Sequence, residues 1–181
     1  KAGDALYGAV PCRSVDTLVV IGSNGRVYSV ATAGLPGGRG DGVPVTSLID
    51  LEAGTQPAHY VAGAAETLLL LANTGGFGLL AQVGDLASRQ RGGKTFLTLE
   101  AGEHVLPPPF SAPTHTRVAC LSLSGRLLVF PLDEMKRQAN GGRGLTLMDV
   151  DAKDPLLSVA AIADKLVVHG SGRGGKGVRD V

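Results

Sequence analysis

The feature that most constrains the fold of this chain is a repeat of about 50 residues. Each repeat contains two short apolar runs separated by a polar turn, and Gly25, Gly75 and Gly125 occupy that turn at one register. A tight turn between two strands needs a residue that tolerates a positive φ, as glycine does. We therefore predict a β-hairpin in each repeat. The paired runs are 17–21 with 27–30, 67–71 with 77–80, and 117–121 with 127–130.

Further strands are predicted on both sides of a second recurring turn, which reads Glu-Ala-Gly at 52–54 and 100–102 and Asp-Ala-Lys at 151–153. One helical turn is also predicted after the second hairpin, at Val83–Leu86, and after the third, at Leu132–Met135. The predicted third strands are Ser47–Leu51, Phe96–Leu99 and Leu145–Val150, and the predicted fourth strands are His59–Ala62, Val105–Leu106 and Leu157–Ala161.

Four strands in about 50 residues is the size of a propeller blade. A single blade cannot bury both of its faces, so neighbouring blades must pack against one another. We therefore predict an all-β, propeller-like array of four-stranded repeats in one domain, residues 1–181. The repeats span roughly 11–62, 63–110 and 111–161, with a partial copy at 162–181, and the array is expected to be open or incomplete.

Composition limits the class of protein. Hydrophobic residues make up 44% of the chain, which is enough for a substantial core, so disorder is not expected. No apolar run is longer than that of Leu68–Ala72, which is far shorter than the roughly 20 residues of a membrane-spanning helix. Cys12 and Cys120 cannot build a disulfide framework, which favours a reducing, cytoplasmic location. The chain lacks an initiator methionine, so we expect it to start inside a longer protein.

Positive charge is concentrated in four glycine-rich loops, although the net charge is only +1. We name them the first (35–40), second (86–96), third (135–146) and fourth (170–179) basic loops. Together they contain 10 of the 17 Lys and Arg residues and none of the 16 acidic residues, which indicates a functional segregation of sign. The ten cations are Arg39, Arg89, Arg91, Lys94, Lys136, Arg137, Arg143, Arg173, Lys176 and Arg179.

These loops recur in successive repeats, so we expect them to project on one side of the array as a basic stripe. Glycine lets the backbone approach phosphate oxygens closely, while Arg and Lys neutralise their charge. The loops lack the interleaved aromatic residues on which unpaired bases stack, so duplex DNA is a better match than a single strand. For any one loop taken alone, a solvated surface turn is the simpler interpretation.

Several longer motifs resemble the C-terminal domain of the A subunit of bacterial topoisomerase IV (ParC), a relative of the gyrase A subunit. Within the second loop, Gln90-Arg91-Gly92-Gly93-Lys94 is similar to the gyrase box QRRGGKG, with one arginine missing and Thr95 in place of the last glycine. The other motifs are Lys1–Asp4, Gly25-Arg26, Leu35-Pro36, Arg39-Gly40, Asp85–Arg89, Gly93-Lys94 leading to Leu97–Leu99, His104–Pro108 and Gly125–Pro131.

The resemblance implies a β-pinwheel, a propeller-like disc whose blades exchange strands with their neighbours and whose rim carries bent duplex DNA. It also implies a domain without catalytic residues, metal or cofactor of its own, within an ATP-dependent type IIA topoisomerase. The implied partners are double-stranded DNA, the N-terminal part of the same polypeptide, and the B subunit of topoisomerase IV in an A2B2 holoenzyme that uses ATP and Mg elsewhere. The implied location is the bacterial nucleoid, with no membrane contact. The degenerate box leaves DNA bending intact but weakens the case for strong chiral wrapping.

Two other functions remain open from the residues alone. A kelch-type protein-interaction propeller also repeats near 50 residues, although it normally carries Trp and Tyr signatures that this chain lacks. The segment Gly170–Gly177 resembles a phosphate-binding loop, but Gly177 stands where a Ser or Thr would bind magnesium. The four histidines share no metal-ligand spacing, so no metal site is expected.

Overall fold

The computed structural model describes residues 5–38, 40–170 and the backbone of 178–180, and its regular structure is dominated by β-strands. The all-β prediction is therefore confirmed. The predicted helical turns after the second and third hairpins are confirmed as well, as α1 (Val83–Leu86) and a 3-10 turn (Leu132–Glu134). Two further 3-10 turns span Thr32–Gly34 and Val45–Ser47.

The strands are β1 (Thr17–Gly22), β2 (Arg26–Ala31), β3 (Pro57–Gly63), β4 (Leu68–Ala72), β5 (Phe77–Gln82), β6 (Lys94–Thr95), β7 (Phe110–Ser111), β8 (Arg117–Ser122), β9 (Leu127–Pro131), β10 (Leu145–Thr146), β11 (Leu156–Ile162), β12 (Val167–His169) and β13 (Val178–Asp180).

The three predicted hairpins are present as β1–β2, β4–β5 and β8–β9, and each forms the centre of one unit of the array. In each turn, a glycine with φ between 78° and 89° donates its N–H to the carbonyl three residues before it. These glycines are Gly25, Gly76 and Gly125. The prediction of Gly75 for the second turn is wrong, because that turn has two consecutive glycines and the second one adopts the positive φ.

Neighbouring units exchange strands, as the family resemblance implies. β6 follows the second hairpin in the chain but pairs with β2, so it completes a first sheet of order β3-β1-β2-β6. In the same way β10 follows the third hairpin but pairs with β5, which gives a second sheet of order β7-β4-β5-β10. The third sheet has the order β11-β8-β9, and β12 pairs with β13.

The predicted third strands are mostly wrong. Leu145–Val150 is a strand only in β10, Phe96–Leu99 lies just after β6, and Ser47–Leu51 begins in a 3-10 turn. The structure explains the short pairing: the N–H groups of Phe96 and Leu97 both donate to Gly25 O, in the hairpin turn where the partner strand ends. The exchanged segment therefore pairs with β2 over two residues only and then crosses the hairpin turn, because β2 has no further residues with which it could pair.

The predicted fourth strands are right in the first and third units, where β3 contains His59–Ala62 and β11 contains Leu157–Ala161. In the second unit the prediction of Val105–Leu106 is wrong. Val105 forms only an isolated bridge with Asn73, and β7 takes the place beside β4. Three prolines at 107–109 separate the two segments, and proline has no N–H to donate to a ladder.

The core lies between units. Successive residues of a strand point to opposite faces of its sheet, and β4 is apolar on both faces. Leu69 and Leu71 belong to the buried cluster shared with the first unit, whereas Leu70 and Ala72 belong to the cluster shared with the third unit. This explains why β4 is apolar at every position: the second unit is covered on both sides. None of the helices in the described residues is long and apolar enough to cross a membrane.

Candidate nucleic-acid interface

The first three basic loops occupy corresponding places in the array. Each follows the short helical turn that ends the second hairpin strand, at 32–34, 83–86 and 132–134. In the second unit this turn is capped, because Asp85 Oδ2 accepts a hydrogen bond from the Gln82 N–H at 2.8 Å. The second and third loops then lead directly into the exchanged strands β6 and β10. Each of these two loops therefore spans from its own unit to the preceding one.

The fourth basic loop does not correspond to the others. It lies between β12 and β13, and these two strands pair antiparallel with each other, Val167 opposite Asp180 and His169 opposite Val178. Residues 171–177 of this loop lie outside the described residues. Because the strands on either side pair with each other, whereas each of the other loops follows a hairpin, the prediction that all four loops occupy equivalent places is wrong for the fourth. The sequence signal was ambiguous because both kinds of turn are rich in glycine.

The box-like segment of the second loop is held against the first unit by Gly93. This residue has φ +62° and lies so close to β2 that an added Cβ atom would be 2.2 Å from Val27 O. Just after it, Lys94 Nζ donates to the carbonyl oxygen of Asp85 at 2.7 Å. The ammonium group also lies 5.6 Å from the centre of the Phe96 ring. Lys94 is therefore engaged with the protein, although its sequence position suggested a phosphate contact.

Arg91 makes a weaker contact with the segment before the first Glu-Ala-Gly turn, at 52–54. Its Nε atom lies 3.3 Å from Asp50 Oδ1, and its Nη2 donates to the carbonyl of Ser47 at 3.2 Å. The Arg91 and Asp50 side chains are 61% and 64% exposed. Exposed pairs of this kind contribute little stability, on the order of 0–1 kcal/mol, so Arg91 can exchange its carboxylate for a phosphate at small cost.

Arg137 of the third loop makes a two-point contact with the second unit. Its Nε and Nη2 atoms donate to the two carboxylate oxygens of Asp85 at 2.9 and 2.7 Å. The Asp85 side chain is only 11% exposed. The hydrogen bonds from Arg137, together with the capping bond from Gln82, hold the pKa of Asp85 below its usual range despite its burial. This geometry identifies Arg137 as a link between units.

Arg143 is the most enclosed of the described loop cations that form ion pairs, with 25% of its side chain exposed. Its Nη2 atom donates to Glu103 Oε1 at 2.7 Å, and Glu100 Oε1 lies 3.3 Å from its Nη1. Its guanidinium carbon also lies 4.0 Å from the centre of the Phe77 ring. Both carboxylates and the ring belong to the second unit, so this contact crosses between units as well.

Arg89 and Lys136 differ from these residues. Both side chains are exposed, and among the described residues neither forms an ion pair. Of the other predicted site residues, Arg39, Arg173 and Lys176 lie outside the described residues. Arg179 lies in β13, where only the backbone is described. Gln90 and Gly92 complete the box-like segment, and Gly92 has open space around it.

Sequence reasoning missed the carboxylates that face these loops. Asp50, Asp85, Glu100 and Glu103 lie outside the basic loops in the sequence, yet they contact Arg91, Arg137 or Arg143 in space. These acids lie outside the loops because all three arginines pair across units: Arg91 with the first unit, and Arg137 and Arg143 with the second. The one local signal was Asp85, which directly precedes the second loop.

The sequence also raised the questions of a nucleotide-binding loop at 170–177 and of a metal site. The segment 171–177, which includes most of the suggested nucleotide loop, lies outside the described residues. The chain beyond it continues as β13, whereas a phosphate-binding P-loop leads into a helix. In the described part of the chain, no group of three or more His, Cys, Asp or Glu residues is arranged to hold a metal ion.

Comparisons with known proteins agree with this architecture. A family model described as the DNA gyrase C-terminal domain, beta-propeller, matches residues 16–53, 67–106 and 117–163. The A subunit of DNA topoisomerase 4 from Neisseria gonorrhoeae is 37% identical over 163 residues, and that from Escherichia coli K12 is 30% identical over 154 residues. These alignments cover 86% and 85% of this chain. The chain spans only about a fifth of the length of these relatives, 21% and 20%.

Two solved structures are similar as well. The C-terminal domain of E. coli ParC is 28% identical with a TM-score of 0.88, and the match covers all of this chain and 75% of that one. The C-terminal domain of DNA gyrase A shares the fold at 18% identity, with a TM-score of 0.66 over 88% of this chain and 53% of that one. These matches favour the topoisomerase resemblance over the kelch-type alternative.

Proposed function

Because the chain belongs to the family of C-terminal domains found in the A subunits of gyrase and topoisomerase IV, we propose that it binds and bends duplex DNA along its basic loops. The observation that carries this proposal is the placement of Arg89 and Lys136. They are exposed cations without carboxylate partners in the described structure, and they lie in the corresponding loops of two neighbouring units. Two such loops offer successive contacts to one phosphate backbone.

The chemistry of this contact is charge neutralisation. A phosphate oxygen accepts hydrogen bonds from the guanidinium or ammonium group, and counterions condensed on the duplex are released into the solvent. Bending a stretch of 20 to 30 bp by 40 to 90° costs on the order of 1–6 kcal/mol, so several loops must act together to offset that cost. Phosphate contacts carry no base information, and we therefore propose binding without sequence specificity.

At the level of the whole protein, we propose that this domain presents a DNA segment to an ATP-dependent type IIA topoisomerase. In that enzyme the N-terminal part of the same polypeptide and the B subunit of topoisomerase IV, in an A2B2 assembly, would carry the cleavage tyrosine, the ATPase and the Mg site. Decatenation of replicated chromosomes and relaxation of supercoils in the nucleoid are the activities that follow. The role of this chain would be to favour particular DNA crossings through the bend that it imposes.

A salt titration tests the binding proposal. Affinity for a fluorescent duplex of about 30 bp is measured by anisotropy at several salt concentrations. For the wild-type chain we expect log Kd to depend linearly on log salt, with a slope of about 0.9 per neutralised phosphate. Arg89→Ala and Lys136→Ala should each lower that slope by about 0.9 and weaken binding.

The matched control is Lys153→Ala, which removes an exposed cation outside the basic loops, in the turn at 151–154. This variant should keep the wild-type slope. An equal loss of slope in the control and in the two loop variants would mean that the loops have no special role. A wild-type chain without measurable affinity for the duplex would overturn the proposed function itself.

A further inference from the structure

The first and third units share an arrangement at the hairpin turn. In each, an arginine directly follows the glycine of the hairpin turn. Its guanidinium group pairs with an acidic side chain of the second recurring turn, at 52–55 in the first unit and 151–154 in the third. In the first unit, Arg26 Nη1 lies 3.5 Å from Glu52 Oε1. In the third unit, Arg126 Nε lies 2.7 Å from Asp154 Oδ2. The two arginines occupy the same position after the turn glycine, and each pairs with an acid of the recurring turn, the first residue of that turn (Glu52) in one unit and the last (Asp154) in the other.

The same carboxylate also holds the hairpin turn. Asn24 Nδ2 donates to Glu52 Oε2 at 2.7 Å, and the Ser124 N–H donates to Asp154 Oδ1 at 2.6 Å. The bond from the Ser124 amide is the largest of the influences that keep the pKa of Asp154 well below its usual range. We call this set of contacts the turn clamp: a carboxylate that joins an arginine to a hairpin turn.

The second unit keeps the carboxylate but lacks the hairpin arginine. Asn73 Nδ2 donates to Glu103 Oε2 at 3.2 Å, as Asn24 does to its glutamate. The position after the turn glycine is Phe77 instead of arginine. The strand register confirms the equivalence, because Arg26 pairs with Thr95 of β6 and Phe77 pairs with Thr146 of β10.

A guanidinium group is nevertheless present in the second unit, and it comes from the third basic loop. Arg143 donates to both oxygens of Glu103, at 3.1 and 2.7 Å, and its guanidinium lies over the Phe77 ring. Stacking on the ring compensates for part of the hydration that the cation loses on burial. The clamp of the second unit is therefore closed by a residue 40 positions away from its carboxylate in the chain.

We propose that Arg143 is a positioning residue that replaces the missing hairpin arginine and fastens the third basic loop to the second unit. Its charge is satisfied by Glu103 and Glu100, so it does not contact phosphate. The part of this inference that concerns DNA rests on the proposed function. Within the third loop, this leaves Lys136 as the cation without an ion pair among the described residues, on a loop that the clamp holds against the second unit.

The test removes the arginine of the clamp at position 143 and then supplies one at position 77. Arg143→Met should lower the midpoint of thermal unfolding by about 5 °C, because it leaves a poorly solvated carboxylate without its cation. Adding Phe77→Arg to that variant restores an arginine where the first and third units have one, with Thr146 and Glu103 as its partners. The double variant should recover at least half of the lost stability.

A separate readout distinguishes positioning from DNA contact. Arg143→Met should keep the wild-type salt slope of duplex binding, whereas loss of a phosphate contact lowers it by about 0.9. A fall in slope without a fall in melting temperature would overturn the proposal, and so would a double variant that melts no higher than Arg143→Met. If the wild-type chain binds no duplex, the proposed function fails, while the melting temperatures still decide whether the clamp exists.

Discussion

The two glycines of the box-like segment provide a sharp test of how the exchanged strand is held. Gly92 and Gly93 are adjacent in sequence but differ in their surroundings. A Cβ atom on Gly92 would meet no atom within 4 Å, whereas one on Gly93 would lie 2.2 Å from Val27 O and 2.7 Å from the Tyr28 ring. We expect Gly93→Ala to be strongly destabilising and Gly92→Ala to be nearly neutral.

The loss of stability expected for Gly93→Ala is the sum of three contributions, one from the backbone conformation and two from hydrogen bonds. The left-handed conformation at Gly93, φ +62°, costs roughly 1–2 kcal/mol for a residue with a side chain. Relief of the clash moves β6 away from β2 and weakens the bonds that Arg26 donates to the carbonyls of Gly92 and Gly93, at about 1 kcal/mol each. The total is about 3–4 kcal/mol, which corresponds to a decrease of about 10 °C in the melting temperature for a chain of this size.

Thermal unfolding followed by far-ultraviolet circular dichroism measures both variants. For Gly92→Ala we expect the free energy of unfolding to change by less than about 1 kcal/mol. Alanine makes the unfolded chain less flexible, which adds a small stabilisation. If the two variants melt within about 1 °C of each other, the close approach of Gly93 to Val27 does not hold the exchanged strand, and the reasoning is refuted. A normal melting temperature with weakened DNA binding would assign Gly93 to the interface instead.

Two further outcomes are expected. Since Arg137 lowers the pKa of Asp85 in the folded state, the stability that this carboxylate contributes is present above its ordinary value of 3.8 and is lost as pH falls through the lower folded value. Urea unfolding at a series of pH values should show a smaller acid-induced loss for Asp85→Asn than for the wild type, and an identical loss would contradict the pair. Burial raises the pKa of Cys120 to about 12, so a thiol reagent at pH 8 should modify one thiol per native chain, the exposed Cys12, and two after denaturation. Rapid reaction of both thiols in the native chain would show that the core between the second and third units opens.

The hairpins were predictable because their signals are local. A short apolar run and a turn glycine depend only on residues a few positions apart, so the runs around Gly25 and Gly125 define β1–β2 and β8–β9 without knowledge of the rest of the fold. The choice between Gly75 and Gly76 was not predictable in this way. Either glycine tolerates a positive φ, and only the structure shows that Gly76 adopts it, with its N–H bonded to Asn73 O.

The concentration of positive charge in the loops was likewise visible in the sequence, but the role of each cation was not. Arg89 and Arg143 have the same formal charge and similar glycine-rich neighbours. One is exposed without an ion pair in the described structure, and the other is held between Glu103 and the ring of Phe77. Ion pairing depends on distance in space, and these partners lie 40 and 66 residues from Arg143 along the chain.

The amino-acid sequence by itself therefore determined the all-β repeat, the three hairpins and the segregation of charge, since each arises from a pattern within one repeat. Only the tertiary structure decided that β6 and β10 join the preceding units and that Lys94, Arg137 and Arg143 engage the protein. The physical reason is that a blade cannot bury its faces or satisfy its edges alone. Those contacts exist only after neighbouring units have packed.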